Sequence, residues 1–113
     1  MEATQWPSDW MRAVLGLSVL KALGGGPTYG YAIVRMLDEA GFGVIKGGTL
    51  YPLLTRFESA GWVTVEWTAG DGGPGRKYFS LTAEGLDELE RQTAQWASFT
   101  EITRKHLQGG SAT

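Results

Sequence analysis

The chain has 113 residues, a length for one small domain, and its 42% hydrophobic and 19% charged residues are the proportions of a folded globular domain rather than of a disordered or membrane-embedded one. It has no cysteine and a single histidine, His106, which excludes disulfide scaffolds, thiolate zinc sites, cysteine nucleophiles and imidazole metal clusters. A net charge of −2 gives no overall basic balance of the kind that marks nucleic-acid binding, so distribution matters more than total: Arg35, Lys46, Arg56, Arg76 and Lys77 occupy the middle of the chain, whereas Glu84, Asp87, Glu88, Glu90 and Glu101 acidify its end.

A first helix is predicted from about Asp9 to Leu23, where Trp10, Met11, Val14, Leu15, Leu17, Val19, Leu20 and Leu23 leave few polar positions. Apolar nearly all round, it must be buried on more than one side. Ser8 is expected to cap its start, and Gly24-Gly25-Gly26-Pro27 to stop it. Thr28 is expected to cap a second helix reaching about Ala40, with Ile33, Leu37 and Ala40 inward, Arg35, Asp38 and Glu39 outward, and Gly41 as its left-handed stop. After a short Phe42–Ile45 link, a third helix is predicted from roughly Gly48 to Ala60, with Leu50, Leu53, Leu54 and Phe57 on one face and Gly61 as its end. Pro52 tests its start. With Thr49 as N-cap the proline falls in the first turn and loses no hydrogen bond; with an earlier start it predicts a kink.

The period then changes from 3.6 to 2. Val63, Val65 and Trp67 alternate with Thr64, Glu66 and Thr68, and after a glycine-rich loop Lys77, Phe79 and Leu81 alternate with Arg76, Tyr78 and Ser80, which makes a hairpin. Thr82 caps a last helix, with Glu84 favourable at its positive end. On that helix Leu86, Leu89, Thr93, Trp96, Thr100, Thr103 and Leu107 form a coiled-coil-like stripe too long and thin for one small body to bury. Residues 108–113 read as a frayed tail.

The order of elements is that of a winged helix-turn-helix, mainly α with a small β-hairpin, in which a helix of major-groove width is held by a second and a hairpin reaches the adjacent backbone or minor groove. Three ordered blocks sharpen this reading: Gly26-Pro27-Thr28-Tyr29-Gly30-Tyr31, then Gly48-Thr49-Leu50-Tyr51-Pro52-Leu53-Leu54, then the stretch from Gly73 to Gly85 that contains Arg76-Lys77-Tyr78-Phe79-Ser80-Leu81-Thr82. From about Leu15 to Leu89 the chain resembles the PadR family of bacterial transcriptional regulators. The resemblance implies a DNA-binding winged helix-turn-helix over 9–81 and a C-terminal dimerisation helix over 82–107, usually acting as a repressor. It departs from the family at Lys46 and Gly47, where members often carry Ser and Pro. Capping of the third helix is then expected from elsewhere, and Lys46 is available for a phosphate.

The expected partners are double-stranded DNA, a second copy of the chain and a small aromatic or phenolic effector, with no cofactor, metal or membrane. Tyr29, Lys46, Thr49, Tyr51, Arg56, Arg76 and Lys77 are the candidate DNA contacts. Thr49 and Tyr51 stand at the start of the third helix, where the alternatives are a cap and a packed aromatic. Arg56, with Glu58 nearby, reads equally as a solvated residue. Arg76 and Lys77 follow the wing tip on opposite faces, so one of the two is expected to touch DNA directly, although the flexible stem of either can reach a backbone. Gly72, Gly73 and Gly75 let the wing approach a duplex or form a loose loop.

Trp10, Trp62 and Trp67 read as core or subunit-interface packing. Trp6, Trp10 and Trp96 are the candidate effector contacts, with dimer packing as the plainer alternative; Leu86, Leu89, Trp96 and Leu107 are the candidate dimerisation residues. Asp87, Glu88 and Glu90 lack a neighbouring base, metal ligand or phosphate loop, so they read as a solvated face and not as an active site. The competing function is a winged-helix module that binds protein without DNA. No stretch approaches a membrane span and the start lacks the basic residues of a signal peptide, so the expected location is the cytoplasm, and the nucleoid when DNA is bound.

Overall fold

Leucines, isoleucine and phenylalanine at helical spacing turn one side of three successive helices toward a common centre, and the two strands close it from one end. A computed structural model describes residues 6–69 and 75–109. The elements are α1 (Ser8–Leu23), α2 (Gly30–Ala40), α3 (Gly47–Ser59), β1 (Val63–Thr68), β2 (Arg76–Leu81) and α4 (Ala83–Leu107). The core joins Leu15, Val19, Leu20 and Leu23 of α1, Ile33 and Leu37 of α2, Leu50, Leu54 and Phe57 of α3, Val63 and Phe79 of the hairpin, and Leu89 of α4. Each such side chain contributes roughly 1.5–3 kcal/mol of hydrophobic stabilisation. The chain thus has the mainly helical α+β winged helix-turn-helix architecture.

Several local expectations are corrected. Pro7 occupies the N-cap of α1, so Ser8 is already helical and caps nothing. Burial of α1 on more than one side holds only for its second half, because Trp10, Arg12 and Ala13 are exposed. Thr28 does not cap α2: its amide donates to the Phe79 carbonyl (3.0 Å) and its carbonyl accepts from the Phe79 amide (2.7 Å), an antiparallel bridge beside β2. Tyr29 takes the N-cap position without a side-chain bond. Ala40 is exposed rather than inward.

α3 begins at Gly47 with the Lys46 carbonyl accepting from the Thr49 and Leu50 amides, so Thr49 is not its cap and no side chain caps it. Pro52 therefore lies beyond the first turn and leaves the Gly48 carbonyl without its usual amide partner, at an exposed residue where water can supply it. The helix continues through it to Ser59.

The expected stops hold. Gly41 (φ 108°) and Gly61 (φ 84°) adopt left-handed backbone after α2 and α3, and the Phe42 and Trp62 amides reach back to the Leu37 and Phe57 carbonyls. The strands pair antiparallel with Val63 opposite Leu81 and Trp67 opposite Lys77. Thr82 caps α4 as expected: its hydroxyl accepts from the Gly85 amide (3.0 Å) and donates to the Gly61 carbonyl (2.7 Å), fastening α4 to the end of α3. Only the first part of α4 reaches the core. From Thr93 to Leu107 every residue except Trp96 is exposed, and the helix extends the molecule to 64 Å along its long axis. No helix of the described residues is long and apolar enough to cross a membrane.

Candidate nucleic-acid interface

With Leu50, Leu54 and Phe57 facing the core, a pitch of 3.6 residues leaves Gly48, Pro52, Thr55 and Ser59 on the opposite side of α3, and all four are exposed. The flanks of this outward side differ. Lys46, Thr49 and Arg56 share the one turned toward α1, where they border a cavity of about 990 Å³ also walled by Met11, Phe42 and Ile45. Tyr51 occupies the other, turned toward α2 and the hairpin. Its ring centre stands 6.5 Å from that of Phe79, and its hydroxyl lies over Gly30.

The Thr28–Phe79 bridge brings the start of α2 to the wing. Tyr29 meets Tyr78 edge to face at 5.4 Å, and the Arg76 guanidinium stacks 4.1 Å from the centre of the Tyr29 ring. Tyr29 and Arg76, single candidates in the sequence, form one stacked unit. No side chain caps α2, and Gly30 at its first turn is buried beneath Tyr51. Lys77 points to the opposite face of β2, 5.9 Å from the ring of its cross-strand neighbour Trp67. Gly72 and Gly73 lie outside the described residues; Gly75 is exposed at the base of the wing.

Both signs of charge occur on α3 and the hairpin, where Glu58 and Glu66 accompany Arg56, Arg76 and Lys77, and on α4. Among the described residues the ion pairs are Arg12–Asp9, Arg35–Glu39, Arg91–Glu88 and Arg104–Glu101, each within one helix. Among the described residues none of these pairs engages Lys46, Arg56, Arg76 or Lys77. On α4 the Arg91 guanidinium, and secondly the Gln92 amide, hold the Glu88 carboxyl below its usual range; Arg104 does the same for Glu101. On that helix Glu88 and Glu101 are the carboxylates with ion-pair partners on the same helix.

The seven candidate contacts therefore fall into two groups on either side of α3, with Lys77 farther out on the wing, and not into one patch. Sequence reasoning missed three participants. Thr55 stands at the centre of the outward side, Gly30 makes room for Tyr51, and Tyr78 backs Tyr29. Only Thr55 had a legible signal, its spacing three residues after Pro52 opposite the leucines.

Of the effector candidates, Trp6 borders the large cavity, its indole donating to the Gly41 carbonyl (2.8 Å), and Trp10 and Trp96 are absent from the cavity walls. Trp10 and Trp67 are exposed and are not core residues; Trp62 packs on Phe57, ring centres 5.5 Å apart. Of the dimerisation candidates, Leu89 is spent within its own subunit at 7% exposure, whereas Leu86 and Leu107 are open. Phe99 and Ile102, which the predicted stripe omits, are 60% and 68% exposed. Trp96 is half-buried, 5.8 Å ring to ring from Phe99.

A model of the transcriptional regulator PadR-like family matches residues 19–91. A PadR-family transcriptional regulator from Eggerthella lenta DSM 2243 is similar in structure, with TM-score 0.80 and 39% identity over 88% of this chain and 86% of that one. A Streptococcus transcriptional regulator gives TM-score 0.74 and 36% identity over 87% and 96%. A PadR-like regulator from Bacillus cereus strain ATCC 14579 gives 0.78 and 30% over 89% and 98%. No curated protein matches the chain. The family and these neighbours are transcriptional regulators and not enzymes.

Proposed function

We propose that this chain, which belongs to the PadR-like family of transcriptional regulators and is a DNA-binding regulator with them, represses transcription as a homodimer on an inverted-repeat operator. The observation that carries the reading is the arrangement around α3. A slim outward side runs between a flank bearing Lys46, Thr49 and Arg56 and a flank bearing Tyr51, with Tyr29 and Arg76 beyond it. Inserted in a major groove, such a helix has cations and hydroxyls toward both phosphate strands, while Lys77 extends along the duplex from the wing.

The two-fold partner comes from α4. A single subunit leaves Phe99, Ile102 and Leu107 exposed on a helix that projects from the body, and apolar rows of this kind are covered by association. The two copies then present their α3 helices to half-sites related by the same axis. Release by a small aromatic or phenolic compound belongs to the same reading, because Trp96 and Phe99 offer stacking surface on the stripe the subunits share. Such a compound acts only by preferring one spacing of the two α3 helices.

The test is electrophoretic retardation of the duplex upstream of the chain's own gene across a salt series. A specific complex that weakens steeply with salt is expected. A module that binds only protein gives no retardation at any salt concentration.

A further inference from the structure

The outward side of α3 lacks the side chains that make bidentate contacts with base edges. Arginine and lysine grip guanine, asparagine and glutamine grip adenine, and acidic side chains accept from cytosine; Gly48, Pro52, Thr55 and Ser59 include none of these. The nearest cation on the helix, Arg56, stands on the flank with Lys46 and Thr49, bordering the cavity beside α1. Tyr51 is held on the other flank by its place over Gly30 and its approach to Phe79. What remains for the floor of the groove is the Pro52 ring, the Thr55 γ-methyl and hydroxyl, the Ser59 hydroxyl and a glycine. The Thr55 hydroxyl makes no hydrogen bond among the described residues, in contrast to those of Thr93, Thr100 and Thr103, which donate to carbonyls one turn back.

We propose that α3 reads its half-site through thymine methyl groups, packed against the Pro52 ring and the Thr55 γ-methyl, and makes no bidentate contact with guanine. The inference rests on the reading above that α3 lies in the major groove. It adds the chemical class of base that the helix selects. The absence of a long side chain on this face lets the helix seat deeply, which brings small apolar groups within contact distance of the C5-methyl, the one apolar feature of the major-groove edge. The flanks then supply affinity through phosphate without distinguishing sequence.

The experiment uses the full chain and duplexes obtained by selection from a randomised pool. Each thymine of the selected half-site is replaced by deoxyuridine, which removes only the methyl, and each guanine by 7-deazaguanine, which removes the N7 acceptor. Selected half-sites are expected to contain thymine, to lose about fourfold in affinity for each contacted methyl removed, and to tolerate 7-deazaguanine. Thr55→Val is expected to keep the deoxyuridine effect and Thr55→Ser to reduce it, with thermal melting confirming that this exposed position leaves the fold intact. If the Thr55 variants change affinity while deoxyuridine does not, or if 7-deazaguanine abolishes binding, the methyl readout is wrong although α3 is the reader. If neither variant has any effect while Lys77→Ala weakens binding, α3 is not in the groove and the underlying reading falls as well.

Discussion

Tyr51 rests its hydroxyl over Gly30 so closely that a β-carbon at the glycine would stand 2.1 Å from the oxygen and 2.7 Å from the ring carbon that bears it. The start of α2 and the flank of α3 are thereby fixed against each other at the point where the Thr28–Phe79 bridge attaches the wing. Gly30→Ala is expected to destabilise the fold by about 1–3 kcal/mol through overpacking and to lower DNA affinity by displacing Tyr51. In a Tyr51→Ala background the same substitution should cost far less. A double-mutant cycle read by thermal or urea unfolding checks this, and equal costs in both backgrounds would break the link between the two residues.

In the proposed complex the wing cations meet phosphate. Lys77→Ala is expected to weaken binding to all sequences alike and to reduce the slope of log affinity against log salt by about 0.9 if one phosphate contact is lost. Arg76→Ala should do the same and also loosen Tyr29, since the guanidinium covers its ring at 4.1 Å. Binding isotherms over a salt series separate the two: a Lys77→Ala slope identical to that of the unmodified chain removes Lys77 from the interface.

On α4, burial separates folding from assembly. Leu89→Ala should cost about 2–5 kcal/mol because the side chain is in the core. Phe99→Glu or Ile102→Glu, on exposed sites, should leave the subunit folded and shift sedimentation from two chains toward one. Retention of the dimer in both glutamate variants would place the subunit contact elsewhere.

Thr82 closes two segments with one hydroxyl. Thr82→Ala is expected to cost about 1 kcal/mol as a lost helix cap, and Thr82→Ser to recover most of it, because both the Gly85 and Gly61 bonds run through the oxygen. Thermal melting of the two variants is sufficient. A Thr82→Ser protein as unstable as Thr82→Ala would assign the effect to the lost methyl.

Hydrophobic period and glycine stops were enough to place the helices, both strands and the Thr82 cap, because each depends on residues close in sequence. What escaped depends on residues far apart. Thr28 precedes a helix and so looks like a cap, yet its backbone is taken by Phe79, fifty-one positions on. Ser8 lost the cap position to Pro7, whose fixed backbone suits a helix entry as well. The heptad pattern on α4 selected Thr100 and Thr103, whose hydroxyls turn back onto their own helix, and passed over Phe99 and Ile102. For the site, residue chemistry identified cations and hydroxyls, but only the fold divides them between two flanks. Thr55 was legible only through its spacing after Pro52, because a small uncharged residue carries no chemical signal of its own until Leu50, Leu54 and Phe57 are seen to face the core.

The most direct test of a two-fold regulator on an inverted repeat is the affinity of the full chain for a selected operator before and after about five base pairs are inserted between the half-sites. That insertion turns one half-site roughly half a helical turn away from the other without changing any contacted base. A rigidly paired dimer is predicted to fall to the affinity it has for a single half-site. Undiminished affinity for the lengthened operator would contradict the account.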